Sequence, residues 1–254
     1  YRPARAPRYV DALYALAADV VAPSRALPCP AEALPADAHC IDVGNHLYWP
    51  AFARLPMIDF FLDALGVDPA AVPAAAKRNR WLARLSLPAL PAEWLRPYVL
   101  FCPNASTAVR SVPPALRVAF VERLAQRYGL PVVGFGPIAH PAYVDVSRDA
   151  TDTARFIAWV KGASLLFAPD TAAVHLADGF DVPTIACFTT IGPVLRVRDY
   201  PYCVPVMLDV PAELHGLHRS ERPDDLASVE AASRAIDWDA LAWPAPRDGT
   251  ASAI

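Results

Sequence analysis

Residues 164–188 constrain the fold more than any other part of the chain. Residues 164–168 (Ser-Leu-Leu-Phe-Ala) are a short apolar run closed by Pro169 and Asp170, the pattern of a strand buried on both faces of a parallel sheet. Asp170 and Thr171 are helix-capping types, residues 172–177 are a helix-forming run, and Gly179 can close it. Residues 182–188 (Val-Pro-Thr-Ile-Ala-Cys-Phe) then give a second buried strand. Strand, capped helix and strand in succession place free backbone N–H groups and a positive helix end at the carboxyl edge of a sheet. Open α/β folds bind phosphates there.

His175 follows Thr171 by one helical turn, so the two side chains share a face. A lone helix histidine is ordinarily a hydrogen-bonded core residue. Here Asp170, Thr171 and His175 together interrupt an apolar stretch where a packed helix has no need of polar groups, so a binding role stands beside the core role.

The rest of the chain repeats the same grammar. Residues 98–102 and 130–135 read as buried strands, and residues 114–128 and 152–161 as helices, stopped by Gly129 and Gly162. Strands separated by helices in this order predict a parallel sheet covered on both faces. Before residue 98 the pattern is weaker. Residues 9–21 and 57–65 have helical periodicity, residues 39–43 form a strand candidate followed by a turn at residues 44–46, and residues 22–35 are proline-rich. Residues 209–223 read as loop, residues 225–240 as a final helix. The expected organisation is a partial N-terminal domain over residues 1–90, a linker over 91–97, a Rossmann-like domain over 98–240 and a flexible tail over 241–254.

Composition excludes several classes. With 55% hydrophobic and 19% charged residues and a net charge of −3, the chain has the balance of a globular domain and does not favour nucleic acid as a partner. No apolar run reaches the roughly 18 residues of a membrane-spanning helix. Arg2, Arg5 and Arg8 make a basic arm, solvated or touching acidic lipid. The five cysteines are odd in number and never in a Cys-x-x-Cys pair, which argues against a zinc site or disulfide framework and for a reducing, cytoplasmic compartment. His215 and His218 stand alone, so no metal is expected. The chain opens on Tyr1 and reads as a piece of a longer protein.

The run Asp170-Thr171-Ala172-Ala173-Val174-His175-Leu176-Ala177, followed by Gly179-Phe180-Asp181-Val182-Pro183, resembles the nucleotide-sugar signature of the lipopolysaccharide heptosyltransferases, glycosyltransferase family nine. The resemblance is specific over residues 98–193. It implies a GT-B fold, with a complete C-terminal Rossmann-like domain here and an incomplete N-terminal α/β portion before it. It also implies inverting, metal-independent transfer from a nucleotide-diphosphate sugar, as substrate rather than cofactor, to a cell-surface glycan or protein acceptor or a lipid-linked one, in the cytoplasm or at the inner face of the membrane. In that family a polar loop and a lysine after the first strand of this domain reach the phosphates. Ser106 and Thr107 occupy the loop here, and Arg110 stands in the lysine's place with Pro113 three residues on. The nucleotide-sugar site then comprises Ser106, Thr107, Arg110, Asp170, Thr171, Ala172 and His175. Asp170, facing phosphates, would repel them, so a structural role suits it better; for Arg110 the alternative to phosphate binding is a surface loop cap.

The chain departs from the pattern in four places. Ala172 replaces a glycine, and Thr189-Thr190-Ile191-Gly192-Pro193 replaces Gly-Pro-Thr. No acid follows the second strand in Gly134-Phe135-Gly136-Pro137-Ile138, where the glycines read as a turn. No match to the proposed catalytic aspartate occurs in residues 1–97, where Asp42 and His46 are the nearest candidates. These gaps keep a second function open, a catalytically degenerate nucleotide-binding module. A Rossmann oxidoreductase is disfavoured by the missing Gly-x-Gly-x-x-Gly and downstream acid. Thiol titration of the denatured, unreduced chain should count all five cysteines as free; fewer would bring back a disulfide.

Overall fold

A computed structural model describes residues 8–20, 41 and 46–248. The expected strand at residues 39–43, apart from Ile41, lies outside the described residues, as do Asp42, the proline-rich loop, most of the basic arm, and Cys29 and Cys40. In chain order the helices are α1 (Arg8–Leu16), α2 (Met57–Ala64), α3 (Arg117–Tyr128), α4 (Thr153–Gly162), α5 (Ala172–Gly179), α6 (Val194–Val197) and α7 (Pro223–Arg234). The strands are β1 (Val99–Phe101), β2 (Val132–Gly134), β3 (Tyr143–Asp145), β4 (Leu165–Pro169), β5 (Thr184–Phe188) and β6 (Cys203–Met207).

All six strands are parallel and lie in the order β3-β2-β1-β4-β5-β6. Val99 pairs with Val132 on one side and Leu165 on the other. Alternate residues along β1 and β4 serve opposite faces. Leu100 and Leu166 join Trp159 and Val160 of α4 and Val174 and Ala177 of α5. Val99, Phe101, Leu165 and Phe167 join Phe120, Val121 and Leu124 of α3. Both faces are covered, which is why these strands are apolar throughout. The chain runs outward from β1 to β3, then returns past β1 to β4. The loops after β1 and β4 therefore diverge to opposite faces and leave a crevice between them.

The four apolar strands and the helices α3, α4 and α5 lie where the sequence places them. Asp152 caps α4 through Arg155 N at 2.8 Å, and Gly129 ends α3 with φ 63°. The sheet also gains β3, with only Tyr143 buried, and β6, whose Pro205 suits an edge strand. The final helix stops at Arg234, because Asp237 Oδ1 accepts from Asp239 N and Ala240 N and turns the chain.

No strand occurs among the described residues before 98. They pack onto the sheet domain: Ala17, Leu82 and Leu85 surround Ile157 of α4, and Trp94, inside the expected linker, stacks edge-on against Tyr98 and Trp159. The first part of the expected tail is also held. Arg247 donates to the carbonyls of Ala163 at 2.8 Å and Phe180 at 2.9 Å, and to Lys161 O, closing the ends of α4 and α5 with a cation.

Residues 78–82 lie across the end of α5. Arg78 donates to Asp178 Oδ1 at 2.8 Å and to Asp181 Oδ1 at 2.6 Å, while Asn79 N reaches Asp178 Oδ2 at 3.0 Å. Gly179 allows this approach: a Cβ there would stand 2.6 Å from Asn79 O and 2.5 Å from Leu82 Cδ1. Backbone cannot yield as a flexible side chain does. Gly179→Ala should cost about 1–3 kcal/mol, read as a lower urea midpoint at unchanged slope. An unaltered midpoint would mean the segment is not anchored there.

Candidate functional site

At the carboxyl edge, where β1 and β4 diverge, lies a cavity of about 720 Å³. Its floor is Cys102, Pro103 and Asn104 after β1, Phe135 after β2, and Thr171, Ala172 and Ala173 after β4. Phe156 of α4, His175 and Leu176 of α5, Tyr9 and Leu13 of α1, and Asn79, Trp81 and Leu82 complete the wall. Size, apolar walls and position at the sheet's switch point are those of a small-molecule site.

Thr171 is the N-cap of α5 in extended conformation, and no side chain caps the helix. The first-turn N–H groups of α5 thus stand at the cavity wall with the positive end of the helix dipole behind them. One turn on, His175 Nδ1 lies 2.7 Å from Tyr200 OH, whose oxygen also accepts from Asn79 Nδ2 at 2.8 Å. A phenol carries one proton. The phenol oxygen can accept from Asn79 and still either donate its proton to Nδ1 or accept from Nδ1–H; with Nδ1 as the acceptor, Nε2–H is left as the donor of a neutral imidazole. Enclosure by protein pushes the His175 pKa below its usual 6.5, with Asp170 opposing and Arg196 assisting. Burial thus favours the neutral ring, while a phosphate in the cavity would draw it back toward the protonated form.

The other expected residues gather behind the cavity. Arg110 Nη1 donates to Asp170 Oδ2 at 2.8 Å, its Nη2 to Ser106 Oγ, and its Nε to Thr107 Oγ1 at 3.3 Å. Thr107 Oγ1 in turn donates to His218 O. Asp170 is buried and holds Arg110. Arg110 lies in a narrower cleft with Thr189 rather than on the cavity wall. Ser106, Thr107, Arg110 and Asp170 therefore form one bonded group, and Thr171, Ala172 and His175 line the cavity. The two sets meet at the Asp170–Thr171 peptide.

In the altered loop, Thr189 and Thr190 donate to Val109 O and Leu217 O, which fixes the chain beside Arg110. Gly134 is required by packing, since a Cβ there would stand 2.4 Å from Phe101 O, and Gly136 turns the chain at φ 110°. His46 stacks edge-on against Phe52 at 4.8 Å. Asn79, Tyr200 and Arg196 belong to the site but were not singled out in the sequence. Each acts through a partner distant along the chain, and only the unusual charge of Val-Leu-Arg-Val-Arg-Asp at 194–199 hinted at one of them. Among the described residues no group of three or more His, Cys, Asp or Glu side chains could hold a metal ion, and no helix is long and apolar enough to cross a membrane.

No protein-family model matches the chain, and no curated protein matches it. Two solved structures do. Escherichia coli ADP-heptose LPS heptosyltransferase II is 14% identical, with a TM-score of 0.38, over 58% of this chain and 53% of its own. E. coli heptosyltransferase WaaC with ADP is 15% identical, with a TM-score of 0.42, over 69% of this chain and 53% of its own. The chain thus spans about half the length of each. Likeness at this distance does not bear on function, which rests on the site.

The burial of His175 links stability to pH. Its folded pKa lies below the unfolded 6.5, so the unfolded chain takes up the proton first as pH falls. Its contribution is fully present above about pH 6.5 and is lost as pH drops through the folded value. His175→Asn, which keeps an acceptor for Tyr200, should show a shallower fall in melting temperature below pH 6.5 than the parent. Parallel curves would return His175 to an ordinary, solvated histidine.

Proposed function

We propose that the cavity binds a nucleotide-diphosphate sugar and that the protein is a glycosyltransferase acting on a glycan acceptor. One observation carries this: an apolar cavity at the switch point opens onto the uncapped N-terminus of α5, with a cation bonded one residue behind it. The base would lie in the apolar part, against the touching rings of Phe135 and Phe156. The diphosphate would lie against the N–H groups of Ala172 and Ala173, with Nε2–H of His175 donating from one turn on. Negative charge accumulates on the diphosphate as the glycosidic bond breaks, and these fixed donors with Arg110 stabilise it without a metal. On this reading the protein would act in the cytoplasm, with its acceptor at the membrane's inner face.

A second reading has its own support. Asp152 is the one carboxylate on the cavity wall among the described residues, and it is occupied in capping α4 and pairing with Arg155. That suits a module that keeps the nucleotide site and lacks a general base.

Titration calorimetry with a panel of nucleoside diphosphate sugars, alongside bare nucleosides, tests the site. Ala172→Asp places a carboxylate where the helix dipole favours it, so folding is retained while phosphate is repelled. It should abolish diphosphate binding and spare the nucleoside. Arg110→Ala should weaken the diphosphate about ten- to hundredfold, provided its melting temperature holds once Asp170 loses its partner. Diphosphate affinity unchanged in both variants would move the site elsewhere. Binding without sugar transfer to any glycan would favour the module.

A further inference from the structure

Arg196, on α6, has a side chain only 7% exposed, yet its hydrogen bonds do not match its charge. Nη1 donates to Leu195 O at 3.1 Å, and Nε stands 4.0 Å from Asp170 Oδ2, a carboxylate already bonded to Arg110 at 2.8 Å. The guanidinium rests 5.1 Å above the ring of Phe52, and His218 stacks on the same ring at 6.1 Å. Two arginines thus share one aspartate. An enclosed guanidinium with five N–H donors, one neutral hydrogen bond and half a counter-charge is a costly arrangement unless an anion completes it. Enclosure depresses the Arg196 pKa and Arg110 adds to this, with Asp170 opposing; His218 is lowered by enclosure, Arg196 and Arg110.

We propose that Arg196 and Arg110 form an oxyanion subsite around Asp170 that takes the oxygens of a phosphate group. Arg196 supplies the charge Asp170 leaves uncompensated, and Phe52 fixes the plane of its fork so that two N–H groups can meet two oxygens. Two sources offer this chemistry: the diphosphate of the proposed donor, in which case the inference rests on that reading, or a phosphate carried by the acceptor.

The test uses the whole chain and inorganic probes, so that it does not depend on which nucleotide binds. Calorimetry with inorganic phosphate and pyrophosphate is run on the parent, Arg196→Met, which keeps the contact with Phe52, and Arg196→Lys, which keeps the charge and loses the fork. Arg196→Met should bind both anions at least about tenfold more weakly at an unchanged or higher melting temperature, and Arg196→Lys should fall between. If Arg196→Met unfolds, Arg196→Lys alone decides, by weaker or unchanged binding. Displacement of phosphate by a nucleoside diphosphate, one for one, assigns the subsite to the donor; simultaneous binding assigns it to the acceptor. A parent chain that binds neither inorganic anion, or variants that bind both as the parent does, would overturn the subsite. If phosphate binds through Arg196 while no nucleotide binds, the donor reading fails and the subsite stands.

Discussion

β1 and β4 lie side by side with no side chain exposed, and the rest of the molecule follows from that pairing. Their backbone groups must be met by neighbouring strands and their side chains by layers on both faces. β2 and β3 extend the sheet on one side, β5 and β6 on the other, with α3 on one face and α4 and α5 on the opposite one. A sheet wound outward from its middle in both directions must part its loops at the centre. The cavity is therefore a product of topology, and the side chains at its rim only tune what it accepts.

The electrostatics follow the same geometry. β4 ends at the start of α5, so the last strand residues, the helix N-terminus and the loops after β1 and β5 converge. Asp170 stands where these meet and draws Arg110 from the connection after β1 and Arg196 from α6 into a region that would otherwise exclude charge. Removing Arg110 leaves a buried carboxylate without its hydrogen-bonded partner, whereas Arg196 stands 4.0 Å away and is not needed to satisfy it. The group joins segments 60 and 26 positions from Asp170 along the chain, and it works as a brace for the loops before any ligand is considered.

What could be read in advance was what local physics encodes. Residues 164–168 are apolar because both faces of β4 are covered, so the strand showed itself, and the polar break at Asp170, Thr171 and His175 marked the site. β3 escaped notice because it buries a single residue, and β6 because Pro205 interrupts it. The extent of α7 was overestimated because the Asx turn at Asp237 carries no periodic signal. Asn79, Tyr200 and Asp178 were invisible for a different reason. Their roles exist only as pairs: Asn79 meets Tyr200 across 121 positions and Asp178 across 99. Composition and spacing carry no trace of such pairings. The tie between His175 and Tyr200 is of the same kind, since the phenol comes from beyond β5.

The clamp between residues 78–82 and the end of α5 has a kinetic side. Arg78 finds Asp178 across 100 positions, so closing that loop is entropically expensive and brings its reward only after β4, α5 and β5 have formed locally. Contacts made late in folding are also broken early in unfolding. If the clamp closes last, one wall of the cavity, with Asn79, Trp81 and Leu82 on it, assembles after the sheet beneath it. Anything bound there would leave the refolding rate untouched and act as a brake on unfolding alone, so that occupancy of the cavity would lengthen the lifetime of the folded chain.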